Sequence, residues 1–200
     1  TGRRNKSFID KAAIDESVIK VIAGPEKKSR VVSEKDKRLT AYHETGHAVV
    51  RRFLNNLDPV HEVSIVPRGR AGGYTMWLPK DDKEYVSRNE MFETIVSALG
   101  GRVAEALFMD DITTGASSDI QTATDTARQM VMKYGMSDLG PIYFGSENNE
   151  VFIGREFGTV HNYSEDVAAR IDEAIMEILN KAYQKASDIL SEKAVKVHEI

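Results

Sequence analysis

Residues 33–54 read SEKDKRLTAYHETGHAVVRRFL, and no other stretch restricts the fold as much. Ser33, with Asp36 three residues on, has the pattern of a helix-opening capping box. Leu39, Tyr42, Gly46, Val49, Val50 and Phe53 follow at helical spacing, and NNLDP at 55–59 stops the helix. His43 and His47 therefore project one turn apart, from a face that also carries Leu39, Val50 and Leu54 and so points inward. Two imidazoles on such a face either hydrogen-bond within a core or hold a metal. A His-Glu-x-x-His pentapeptide arises by chance in on the order of a percent of chains of this length, which favours the metal.

The chemistry follows from the spacing. Histidines at i and i+4 on a rigid helix can both reach one tetrahedral Zn²⁺ at about 2.0–2.1 Å, and Glu44 then lies beside the open coordination position. A carboxylate there can take a proton from the attacking water and pass it to the leaving amine of a peptide whose carbonyl zinc polarises. Two ligands do not complete a site. Six residues beyond His47, where one class of zinc peptidases has a further histidine, stands Phe53. His61 in VHEVSIV, His161 in GTVHNYSED and His198 near the end read as surface or structural histidines.

Carboxylates are left. Glu105, in GGRVAEALF, sits on a helix that opens with a capping box at Ser87 and Glu90 and runs through Met91, Ile95 and Leu99. Asp119, in TTGASSDIQTATDTARQMVMKYG, lies in the first turn of another helix. Its expected N-cap is Ser118 with Gln121 completing the box, Ala123, Ala127, Met130 and Val131 form its buried stripe, and Gly135 closes it. A helix start favours an ionised carboxylate, as a metal ligand requires. On spacing alone the two carboxylates stand near even.

Composition limits the alternatives. A chain of 200 residues, 41% apolar and 29% charged, can bury an ordinary core, as one globular domain with or without an appendage. With no cysteine, disulfides and thiolate zinc sites are excluded, so a metal must be held by His, Asp or Glu. No apolar run approaches the ~18 residues of a membrane span, and the start lacks a signal segment, so a soluble chain is expected. The formal charge of −4 hides an asymmetry: residues 1–38 carry eleven Lys/Arg against six Asp/Glu, a net of +5, leaving −9 for the rest. Such an arm can bind a polyanion. Here Ile14, Val18, Ile19 and Ile22 break it at helical spacing, so a plain amphipathic helix ending at Gly24 and Pro25, then a linker, is expected, with no nucleic-acid partner.

Between the helices Val63 and Ile65 alternate with polar residues, PRGRAGG makes a Gly-rich connection, and YTMWLP is a second extended run. An exposed strand beside a zinc site can pair with a peptide backbone whatever its sequence, which makes Gly73, Tyr74, Thr75, Met76 and Trp77 candidate substrate-binding residues. The last helix, from Ser164 as N-cap through Val167, Ile171, Ile175, Ile178, Leu179, Ala182 and Ile189, is amphipathic and belongs to core or subunit contact.

In order, AYHETGHAVV, VSIVPRGRAGGYTMWLP, GGRVAEALF, TTGASSDIQTATDTARQMVMKYGMSDLGPIYFG and NYSEDVAARID resemble the peptidase domain of the FtsH-type membrane-anchored ATP-dependent zinc metalloproteases, over roughly residues 26–200. The earlier residues resemble the last helix of that family's AAA ATPase module and its linker, which sets an expected boundary between 1–32 and a peptidase domain at 33–200. The resemblance implies a mainly α, helical zincin-like fold with a small β-sheet or ribbon near the active site. It implies one Zn²⁺ per protomer, with His43, His47 and Asp119 as ligands, Glu44 as catalytic base and Glu105 orienting a ligand from behind. It further implies polypeptide substrates, unfolded or from the membrane, and a homo-hexameric parent in the bacterial inner membrane with this domain facing the cytoplasm. ATP and the membrane would act only through an ATPase module and N-terminal segments that this sequence lacks.

Overall fold

A computed structural model describes residues 9–22, 24–25, 32–68, 72–145 and 163–200. His161, most of the linker after Pro25 and the centre of PRGRAGG lie outside them. The helices are α1 (Lys11–Ile22), α2 (Glu34–Arg52), α3 (Arg88–Phe108), α4 (Ser117–Met132), α5 (Glu165–Glu192) and α6 (Ala194–Glu199). A two-stranded sheet, β1 (Val60–Ser64) and β2 (Tyr74–Trp77), lies between α2 and α3, and a 3₁₀ turn (Thr114–Ala116) leads into α4. The mainly α fold with a small β-ribbon is thus present. Among the described residues no helix is long and apolar enough to cross a membrane.

Three helix starts follow their local chemistry. The hydroxyls of Ser33, Ser87 and Ser164 accept the backbone N–H groups of Asp36, Glu90 and Val167, satisfying donors that a helix start leaves unpaired. α4 departs from expectation. Ser118 is not its N-cap but its second residue; the position before the helix is Ala116, which has no side-chain cap. The capping is done upstream, where Thr113 Oγ1 accepts the N–H of Gly115 at 3.1 Å, so the chain enters α4 already coiled. At the other end Gly135, at φ 58°, reverses the chain and lets the Met136 N–H reach back to the Met130 carbonyl at 2.8 Å.

The strands pair antiparallel, with Ser64 opposite Tyr74, Val63 opposite Thr75 and an irregularity at His61. β1 ends at Ser64, so Ile65, expected in the strand, is an exposed residue beyond it. In α1 only Ile19 of the expected apolar stripe is buried; Ile14 and Val18 are exposed, and the side chain of Ile22 is outside the described residues.

The core is organised around α3, which packs against α2, α4 and α5. Val49 and Val50 of α2 meet Ile95, Val96, Leu99 and Val103 of α3; Ala123, Ala127, Met130 and Val131 of α4 and Ile171, Ile175, Ala182, Ala186 and Leu190 of α5 complete it. At the centre of the α2–α3 crossing the helices touch backbone to backbone. A Cβ on Gly46 would lie 2.5 Å from the carbonyl oxygen of Gly100 and 2.6 Å from the Cβ of Ala104. Gly46→Ala should accordingly force the two helices apart and cost about 1–3 kcal/mol, the range of overpacked cores, read from the midpoint of urea unfolding. An unchanged midpoint would show that the crossing gives way freely.

Candidate metal centre

His43 and His47 leave the inner face of α2 with their rings 4.8 Å apart between centroids and their Nε2 atoms 3.1 Å apart. Each Nδ1 has a partner on α3. That of His47 is 2.8 Å from the Ser97 carbonyl oxygen, and that of His43 is 2.8 Å from Glu105 Oε1. A carbonyl can only accept, so the His47 proton is on Nδ1 and its Nε2 carries a lone pair. Glu105 is 1% exposed, and its second oxygen accepts the Thr113 N–H at 2.7 Å. With that carboxylate accepting on both oxygens, the His43 proton is assigned to Nδ1 as well.

Asp119 completes the cluster from the first turn of α4. Its Oδ2 is 3.2 Å from His43 Nε2 and 3.5 Å from His47 Nε2. Burial works against the charge of Asp119, yet the two imidazoles outweigh it and hold the carboxyl well below the usual range. The effect on His43 is reciprocal: burial alone would lower it, but Asp119 and Glu105 raise it.

These three atoms fit a zinc ion. Ligand bonds of 2.0–2.1 Å at tetrahedral angles separate neighbouring ligand atoms by ~3.3 Å, close to the observed edges of 3.1, 3.2 and 3.5 Å. Two lone pairs and an anionic oxygen aimed at one another repel unless a cation lies among them. Among the described residues His43, His47 and Asp119 are the one cluster of this kind. Glu105 does not join it, since it meets His43 on the opposite nitrogen. Gly101 makes room for the rings, because a Cβ there would stand 2.5–2.6 Å from ring atoms of His43 and His47.

Glu44 is 7% exposed and is held by Thr75, whose hydroxyl donates to Oε2 at 2.8 Å and lies 3.1 Å from the Glu44 carbonyl oxygen. Burial pushes its carboxyl up; the bond from Thr75 and the nearby histidines oppose this without cancelling it. A cleft of about 530 Å³ opens over the cluster. Gly73, Tyr74, Thr75 and Trp77 line it along β2, with Thr40 and Arg51 of α2 and Thr94 of α3. Met76, grouped with them on sequence grounds, is 6% exposed and does not line the cleft; its side chain is on the face opposite to those of Thr75 and Trp77.

His61 is exposed on β1, and His198 pairs with the Tyr42 hydroxyl at 2.9 Å; neither joins the cluster. Sequence reasoning did not reach the Ser97 carbonyl, the Thr113 N–H, the grip of Thr75 on Glu44, or Arg51. Backbone groups carry no residue signature, and the partners lie 31 to 50 positions from the residues they serve or in a different element. The glycine pair at 100–101 inside a helical run was the one available signal.

The model of Peptidase family M41 matches residues 30–200. The chain is 56% identical over 199 residues to the ATP-dependent zinc metalloprotease FtsH 1 of a Thermoanaerobacter species, covering 99% of this chain and 33% of that protein. It is 56% identical to the ATP-dependent zinc metalloprotease FtsH of Caldicellulosiruptor bescii, covering 99% and 32%. To the FtsH 2 protein of Alkaliphilus metalliredigens it is 55% identical, covering 100% and 29%. The chain thus spans about a third of the length of the curated relatives it matches. With every helix from α2 onward, and the whole His-Asp cluster, inside the matched span, the chain belongs to peptidase family M41 as an FtsH-type peptidase domain.

Proposed function

We propose that this chain is a zinc endopeptidase domain in which His43, His47 and Asp119 hold the metal and Glu44 moves the proton. The observation that carries the reading is the triangle of two Nε2 atoms and one carboxylate oxygen at tetrahedral spacing, with both Nδ1 atoms already engaged. Zinc, when bound, supplies a Lewis acid that polarises a peptide carbonyl and makes water more acidic.

Everything else is done by the chain's own groups. Thr75 occupies Oε2 of Glu44, which leaves Oε1 to accept the proton of the attacking water and hand it to the leaving amine nitrogen. Burial raises the proton affinity of Glu44 and so helps it hold that proton between the two transfers. Asp119 stays anionic beside the imidazoles. Glu105 and the Ser97 carbonyl keep both Nε2 lone pairs aimed inward. β2 has one edge unpaired among the described residues, which supports an extended peptide pairing with the backbone around Gly73, Tyr74, Thr75 and Trp77. Met76 anchors that strand from its buried side.

The relatives are named ATP-dependent zinc metalloproteases, and with the motif resemblance this extends the proposal to the whole protein. There this domain, residues 33–200, degrades unfolded or membrane polypeptides delivered by an ATPase module, of which residues 1–32 are the last helix and linker. The parent is a homo-hexamer anchored in the bacterial inner membrane, with the peptidase domain facing the cytoplasm.

Purified chain should hold about one zinc per protomer and cleave unfolded polypeptide until a chelator removes the metal; full activity in metal-stripped protein would end this reading. Glu44→Gln should keep zinc and lower kcat by ~10²- to 10⁴-fold, the usual worth of a general base, since the amide is nearly isosteric but cannot accept the proton. Cleavage at the parent rate would remove Glu44 from the role. In a zinc competition titration Asp119→Ala should lose tight binding, while Glu105→Ala should weaken it only ~10- to 100-fold, as loss of a ligand's hydrogen-bond partner does. The reverse order would exchange the two assignments.

A further inference from the structure

We infer that Arg51 and Trp77 form a carboxylate-binding subsite at one end of the cleft, so that the peptides cleaved best carry an acidic group near the bond at the metal centre. The inference rests on the endopeptidase reading above and adds a substrate class to it. Arg51 is 6% exposed, uncommon for arginine. It stands four residues past His47 on α2, one turn or ~6 Å along the axis. Its Nε donates to the backbone oxygen of Asp58 at 2.7 Å, and its guanidinium carbon lies 4.0 Å from the centre of the Trp77 ring.

These contacts use one of five N–H donors and one face of the guanidinium. Among the described residues no carboxylate lies within ion-pairing distance of it, the Asp58 carboxylate acting on its charge only from farther off, and no side chain or backbone oxygen is bonded to its terminal nitrogens. Both Arg51 and Trp77 line the cleft that contains His43, Glu44 and His47. A cation this buried, with its outer fork unpaired and its plane fixed against an indole, is set to receive a carboxylate with two parallel hydrogen bonds. The carboxylate is an Asp or Glu side chain of the bound peptide or its free C-terminus. An extended peptide advances ~3.3 Å per residue, which places that group about two residues from the cleaved bond, toward the C-terminal end of α2.

The test is a matched peptide series with Glu, Gln or Lys at each of three positions on either side of the scissile bond, with free and amidated C-termini, compared by kcat/KM. Glu should exceed Gln by about 10- to 100-fold at one position, the worth of a hydrogen bond to a charged group, with Lys poorer still. A preference for the free over the amidated end instead identifies the terminal carboxylate as the source. Arg51→Gln should bring the preferred ratio to about one, and Arg51→Lys should retain it in weakened form. Equal rates for acidic and neutral peptides at every position and end, or a preference that survives Arg51→Gln in a variant of unchanged helicity, would overturn the inference. Because Trp77 is the only tryptophan, its fluorescence also reports binding to the Glu44→Gln protein without turnover. Tighter binding of acidic peptides with no cleavage by the parent chain would retain the subsite and reject the endopeptidase. Cleavage with no acidic preference would do the opposite.

Discussion

The backbone contact of α2 with α3 at Gly46 and Gly100 sets the distances on which the metal centre depends. Gly46 lies between His43 and His47, so where α2 comes closest to α3 both imidazoles are pressed against the neighbouring helix. The Ser97 carbonyl and the Glu105 carboxylate, eight residues apart on α3, then lie at hydrogen-bond distance from the two Nδ1 atoms. Gly101 leaves the volume that the rings fill. A side chain at any of these glycines would separate the helices or displace an imidazole, because a close-packed interior has no spare space to absorb it. Fold stability and ligand geometry therefore share one contact.

Three carboxylates surround the two histidines, and their surroundings separate them. Asp119, beside both imidazoles at a helix start, is held ionised, whereas Glu44, buried beside Thr75, is pushed toward its protonated form. One suits a permanent anion and the other a group that takes up and releases a proton. Glu105 has both oxygens engaged away from the cluster. The same functional group thus takes three positions according to which side of an imidazole ring it meets and how much water it retains.

Thr75 joins the cleft wall to the base, since the strand suited to holding an extended peptide also holds Glu44. A shift of β2 would move both together, and the buried Met76 resists such a shift. Arg51 on Trp77 ties the far end of the same strand to α2. The small sheet is short, yet every residue of β2 except Met76 lines the cleft.

Local sequence was sufficient where the physics is local. Helical periodicity alone put His43 and His47 on one buried face, and the hydroxyls of Ser33, Ser87 and Ser164 cap the helices they precede, because each interaction spans only three or four residues. The same reasoning failed at Ser118, where a capping threonine five residues upstream had already turned the chain, and at Ile65, where pairing stopped one residue short. Spacing could not separate Glu105 from Asp119, since both are carboxylates on helices far along the chain. Tertiary structure alone decides which nitrogen each one meets: α3 lies alongside α2 and delivers Glu105 to the Nδ1 side of His43, whereas α4 starts at the open end of the rings and delivers Asp119 to both Nε2 atoms. That difference comes from how three helices pack, which no single stretch of sequence contains.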